Sequence, residues 1–274
     1  MNITDIIKNA LVFPSKNLET LSIYAILTIL SWAFLFEGVV KTILGIFDIG
    51  NIIIGVICII ISFLIGLITR RISIQCIKSG IDLEEKMPDF NWWESFGTGL
   101  KKVVITIYYF IVPALIVVVI ALIVNIFGNI LNVGETIISQ IPYIITGNPT
   151  FIANAIDSSI FTLFVSIAIT IAAALIVFLI FSFFQAMGEA RLAHTGNLKD
   201  ALNIYGAIKD ITMIGVGKLI ALTVLIFVIV TCIEAVLTFV FNHFIVLSVL
   251  NIVIVPYTAL FAQRALGLLY ADIV

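Results

Sequence analysis

The chain has 274 residues, 62% of them hydrophobic and 11% charged, with a formal net charge of −2. Soluble globular domains run nearer roughly 45–50% apolar and about a quarter charged, so these charges cannot cover a water-facing surface and most of the chain must have lipid as its solvent. No long basic run offers a footprint for nucleic acid. Cys58, Cys76 and Cys232 form no C-x-x-C pair and give neither a disulfide framework nor a zinc set.

Residues 1–17, MNITDIIKNALVFPSKN, lack the continuous apolar core and cleavage site of a signal peptide. Ile3, Ile6, Ile7, Ala10 and Leu11 recur at helical spacing, with Asp5, Lys8 and Asn9 on the other side. This pattern predicts a short interfacial helix lying on the membrane surface and ended by Pro14. About twenty apolar residues cross a hydrocarbon core. Six runs qualify, at 18–47, 51–69, 103–127, 159–187, 213–241 and 244–269. Backbone groups in lipid must find their partners internally, so all six are expected to be helices. The fold expected is an all-α integral membrane protein, one polytopic domain over 1–274, with about six transmembrane helices plus amphipathic interfacial helices.

Lysine and arginine set the direction of the spans. Lys8 and Lys16 precede the first span. Arg70, Arg71, Lys78, Lys86, Lys101 and Lys102 follow the second, Arg191, Lys199, Lys209 and Lys218 follow the fourth, and Arg264 closes the last. The turn at 48–50, the segment 128–158 and the turn at 242–243 hold none, so of 14 basic residues only Lys41 falls on the other side. Both termini are therefore expected in the cytoplasm of a cell-membrane protein. The connections at 70–102 and 189–218 would be cytoplasmic, and 128–158 extracellular.

The first of these connections contains MPDFNWWESFGTGLKK. Asp89 or Asn91 can cap a helix on which Trp92, Trp93, Phe96 and Leu100 recur at helical spacing. Amphipathic rings favour the membrane boundary, so Trp92, Trp93 and Phe96 are expected as anchors of an interfacial helix over 91–102. The second connection has a similar order: Arg at the end of a span, Thr195-Gly196 in place of Ser79-Gly80, an amphipathic stretch, Gly-x-Gly, then lysine. Such a likeness suggests a parallel hairpin repeat, spans two and three against spans four and five. Shared insertion physics would produce the same order without duplication.

Chemistry is sparse. His194 and His243 fall on opposite sides of the membrane, and no H-E-x-x-H occurs. Gly215-Val216-Gly217-Lys218 lacks both the first glycine and the hydroxyl residue of a phosphate-binding loop. No catalytic, cofactor-binding or metal-binding residue is assigned, and an enzyme is not expected. Polar residues inside spans are costly and therefore informative. Glu37 and Lys41 stand one helical turn apart in span one, and Glu234, His243 and Asn251 fall at a similar depth. Glu37, Lys41, Glu234 and Asn251 are thus a candidate intramembrane polar cluster in the outer third. The simpler account is a neutralised pair near the outer interface beside unrelated helix-end groups. Thr162, Ser166, Thr170 and Ala174 make a small-residue stripe suited to close helix packing, or to a substrate path. Pro113 and Pro256 each remove a backbone donor inside a span. The function expected is a non-enzymatic membrane protein that organises lipid or docks a protein partner at its cytoplasmic face, with no nucleic acid involved. The alternative is a transporter or lipid-handling carrier using the outer polar groups. The oligomeric state is not legible.

The stretch MPDFNWWESFGTGLKKVVITIYYFIVP resembles the loop-and-helix signature of the membrane protein family known as domain of unknown function 4013, with matches at Pro88, Asp89, Phe90, Trp93, Gly99, Leu100 and Pro113. The second connection, ARLAHTGNLKDALNIYGAIKDI, and the tail bearing Tyr257, Arg264, Gly267 and Tyr270 are similar to it too. Asn91-Trp92 and Thr98 depart from the acidic residues usual at those places. The resemblance implies a multi-pass membrane protein of a kind common in archaea, without an established activity.

Overall fold

A computed structural model describes residues 1–45, 48–87, 92–146, 150–243 and 251–274. Among these residues the regular elements are all helical. In chain order they are α1 (Ile3–Lys16), α2 (Leu18–Leu44), α3 (Ile49–Ile81), α4 (Trp92–Ile123), α5 (Ile126–Thr146), α6 (Thr150–Thr195), α7 (Leu198–Ala201), α8 (Ile204–Ile214), α9 (Val216–His243) and α10 (Asn251–Tyr270). Six of them, α2, α3, α4, α6, α9 and α10, are long and apolar enough to cross a membrane.

Local chemistry explains several of the boundaries. Asp48 opens α3 by accepting from the Gly50 amide at 2.9 Å and from the Asn51 side chain at 2.8 Å. Asn197 and Asn203 cap α7 and α8 by accepting from the Lys199 and Gly206 amides. Gly215, at φ 92°, ends α8 in a conformation that a side chain would strain, and α9 starts at the next residue.

Other boundaries differ from the sequence expectation. Helix α3 does not stop at Thr69 but runs on through Arg70 and Arg71 to Ile81. The stretch expected as a separate interfacial helix over 91–102 is, from Trp92, the first three turns of α4, which continues unbroken into the span. Ser95 is fully buried there, and Gly99 lies so close to α3 that a Cβ would come within 2.0 Å of the Leu67 carbonyl oxygen. Pro88, Asp89, Phe90 and Asn91 lie outside the described residues. Helix α6 likewise runs on to Thr195, and the second connection carries its own short helices, α7 and α8. Segment 128–158 holds most of α5 and the first turns of α6. At the N-terminus Pro14 sits inside α1 rather than ending it. Part of the apolar stripe of α1 packs on protein: Ile6 and Ala10 are buried, with Phe13 beside them, while Leu11 stays exposed, and the helix packs on α10 and α2.

The chain divides into two compact units, residues 1–106 with 185–274, and residues 107–184. The core of the first unit is built from Phe13, Leu21, Ile72, Cys76 and Leu260, joining α1, α2, α3 and α10. Glycines set the helix crossings. A Cβ on Gly267 would come within 2.1 Å of the Ile77 carbonyl oxygen, and Gly38 and Gly55 face each other where α2 crosses α3. Close backbone approach of this kind is how helices associate in lipid, where apolar side chains gain nothing by leaving the solvent. Within the second unit Ser166, from the small-residue stripe, reaches across. Its Oγ accepts from Asn129 Nδ2 at 2.7 Å and donates toward the Val124 carbonyl at 3.1 Å. Thr162 and Thr170 donate to carbonyls of their own helix.

Candidate functional site

Most of the chemistry in the first unit gathers where its basic side chains converge. Arg71, 5% exposed, donates to Glu94 Oε2 at 2.9 Å and to Ser95 Oγ at 3.0 Å. Lys102 pairs with Glu189 at 2.9 Å and donates to Ser73 Oγ at 2.6 Å, while Gln185 Nε2 donates to the other carboxylate oxygen of Glu189 at 2.9 Å. Arg191 forks onto Asp210 at 2.5 and 3.1 Å, and the Tyr270 hydroxyl donates to the same carboxylate at 3.2 Å. Each of these pairs joins two separate helices. Lys102–Glu189 and Arg191–Asp210 are largely buried on both sides, whereas Glu94 is 68% exposed. Removing one partner from a buried pair typically costs about 3–5 kcal/mol, because the other charge stays behind without compensation.

Arg264 has a different setting. It is 1% exposed, and its guanidinium lies 4.3 Å over the Phe13 ring, donating to Ser79 Oγ at 3.0 Å and toward Asn9 Oδ1 at 3.4 Å. It thereby fastens α1 to α10 and α3. At the rim Asp272 accepts from Lys218 and from the Met1 ammonium. Burial alone would raise the Asp272 carboxyl, but those two donors outweigh it and hold the group below its ordinary range.

Among the described residues, hollows open on this unit at three places. One of about 380 Å³, lined by Arg71, Gln75, Lys78, Glu94, Thr98 and His194, lies among α3, α4 and the end of α6. A second of about 400 Å³ lies beside α1, with Arg264, Lys8, Lys16 and Glu85 in its wall. The third, of about 490 Å³, is a groove between α2 and α3. Its floor is polar but satisfied. Ser62 Oγ donates to the Ser31 carbonyl at 2.7 Å and Ser31 Oγ to the Ser62 carbonyl at 3.1 Å, while Thr28 and Thr69 bond within their own helices. Its walls are Trp32, Leu35, Ile59 and Phe63. At its end stands Arg70, with the guanidinium resting on Gly66, where a Cβ would come within 2.8 Å of Nη1. Among the described residues no carboxylate lies within ion-pair distance of Arg70.

The residues singled out from the sequence fall elsewhere. Glu37 and Lys41 pair at 3.9 Å, both partly exposed. Glu234 is exposed on α9, and Asn251 begins α10 with its side chain, like that of His243, outside the described residues. The side chains of Trp92 and Trp93 also lie outside the described residues, and Phe96 is half-buried in the first turns of α4. Sequence reasoning missed the buried pairs and the groove. Their signal was present: Gln185, Glu189 and Arg191 cluster at the end of a span, and Ser31, Ser62 and Arg70 interrupt runs that are otherwise apolar.

Six long apolar helices, with many large apolar side chains turned outward, define a helical multi-pass membrane protein. Within that class the chain belongs to the family described as protein of unknown function (DUF4013), whose model matches residues 54–255. No curated protein and no solved structure matches it.

Proposed function

We propose that this protein is a non-catalytic organiser of membrane lipid, which holds an acyl chain in the groove between α2 and α3. Its basic end would form a rigid platform at the cytoplasmic face. The groove carries this reading. From Arg70 to Ile59 it follows α3 for about 16 Å at 1.5 Å per residue, close to half of a roughly 30 Å hydrocarbon core. That is the depth of one leaflet. Trp32 is largely and Phe63 about half exposed along it, and a lipid chain is the solvent such walls require. The internally paired charges nearby support the platform, because they hold helix ends in fixed register without drawing on water.

The test is lipid retention through purification. Protein extracted in mild detergent and stripped stepwise should keep bound lipid by native mass spectrometry. Filling the groove with Leu35→Trp should remove it while the protein stays folded by thermal melting. Equal retention by a folded Leu35→Trp variant would show that the groove is not the holder.

A further inference from the structure

We infer that the groove between α2 and α3 selects a phospholipid with an anionic headgroup, and that Arg70 is the residue that reads it. The inference rests on the lipid-holding reading above and names the lipid. Arg71, Lys102, Arg191 and Lys218 all have carboxylates of this chain as partners. Arg70, one residue from Arg71, has none among the described residues, although it is half-buried.

A cation left without an acid at the edge of lipid is expensive unless water or a lipid phosphate answers it. Here the side chain is held back along the groove rather than spread into water. Gly66 gives it the room, since a methyl group at that position would come within 2.8 Å of Nη1. A guanidinium offers a planar fork of donors that matches a phosphate oxygen pair. Beyond it the groove continues as apolar wall past Trp32 and Phe63. One molecule meets both requirements: a phosphate at one end and a hydrocarbon chain extending about one leaflet from it. A free anion would satisfy Arg70 and leave the walls uncovered. Net anionic lipid rather than zwitterionic lipid follows from the local charge. A zwitterionic headgroup brings its own cation to a site that already has one and has no paired acid to receive it.

Trp32 provides the readout. The chain has three tryptophans, Trp32, Trp92 and Trp93. The full chain carrying Trp92→Phe and Trp93→Phe therefore reports from the groove wall alone. Reconstituted into phosphatidylcholine vesicles, it would be titrated with phosphatidylglycerol or phosphatidylcholine brominated at mid-chain. The expected result is a preference of about fivefold for the anionic bromolipid, the ratio that one unpaired basic residue supports at an anionic surface. Arg70→Gln should abolish the preference. Gly66→Ala should reduce it, because the added methyl group meets only the mobile end of Arg70 and displaces the guanidinium without disturbing backbone.

Equal quenching by both lipids would overturn the headgroup assignment and leave the groove reading intact. A preference that survives Arg70→Gln would overturn it as well, by placing the selecting charge elsewhere. Absence of quenching by either lipid would remove the groove reading and this inference together.

Discussion

The two halves of α3 reverse what a water-soluble helix would do. Residues 49–64 are almost purely apolar, yet Ile49 is 77% exposed and Ile53, Ile57, Ile60 and Phe63 are also exposed. Residues 67–81 carry two arginines, a lysine, a glutamine, a cysteine and serines, and there Ile72, Cys76 and Ile77 are fully buried. The more polar half makes the core. In lipid an apolar side chain gains nothing by turning inward, so the greasy half stays out against its solvent. The polar half has charges and hydroxyls to satisfy, and only other protein can do it. Cys76 donates to the Leu260 carbonyl, Ser79 accepts from Arg264, and Arg71 pairs with Glu94. Close glycine contacts then bring α4 and α10 onto that half at Gly99 and Gly267.

If buried charge holds the inner half together, breaking one pair there should have the largest effect. Glu189→Ala strands Lys102, which is nearly inaccessible, and should lower stability by about 3–5 kcal/mol. The exposed pair Glu37–Lys41 supplies the contrast. Glu37→Gln should cost about 1 kcal/mol or less. Thermal melts of both variants in one detergent decide the matter. Equal shifts would mean that the buried pair contributes no more than the exposed one, and the account of the core would fail.

A smaller effect is expected from steric disruption of the same half. Gly99→Ala places a methyl group against the Leu67 carbonyl, a backbone atom that cannot swing aside, so α3 and α4 must separate. Overpacking of this kind costs about 1–3 kcal/mol. Gly97, two residues earlier, has open space at its Cβ position. Gly97→Ala should be neutral or stabilising by up to about 1 kcal/mol through helix propensity. Cross-linking yield between cysteines placed on α3 and α4 would follow the separation directly. A Gly99→Ala variant with unchanged yield and melting temperature would show that the crossing has slack.

The comparison also explains which features were legible in the sequence. Six spans could be read because insertion into lipid depends on runs of apolar residues, and such runs are visible without any knowledge of packing. Where helices end was harder. Arg70 and Arg71 look like the end of a span, since charges mark the water boundary. The helix continues for three turns because Arg71 finds Glu94 and Ser95 on another helix, a pairing that no local pattern reveals. The same blindness produced the expected surface helix over 91–102. Trp92, Phe96 and Leu100 do lie at helical spacing, but that spacing does not distinguish a helix on the membrane from the first turns of one entering it. For α1 the periodicity of Ile3, Ile6, Ile7, Ala10 and Leu11 was plain, but Phe13 was not part of it, and only the structure shows Phe13 buried under Arg264 while Leu11 stays exposed. The groove was hidden because it belongs to two helices at once. Ser31 and Ser62 meet across a separation of 31 residues.

The smallest effect should come from the rim, where the charges are partly open to water. Asp272 titrates below its ordinary value because Lys218 and the Met1 ammonium donate to it, against the opposing pull of burial. A carboxyl whose folded pKa is depressed contributes stability that is fully present above its unfolded value, near 3.8. That contribution fades as pH falls through the lower folded value. Asp272→Asn should therefore cost about 1 kcal/mol or less near neutral pH, the scale of an exposed pair. The gap between variant and parent should begin to close as the pH falls below about 3.8 and vanish once it passes the lower folded value, where the parent carboxylate is itself protonated. Melting temperatures of both proteins across that range test the sign as well as the size. A gap that widens on acidification would mean that Asp272 favours the folded state through its protonated form, and the ion pair with Lys218 would not be what holds the C-terminal turn to α9.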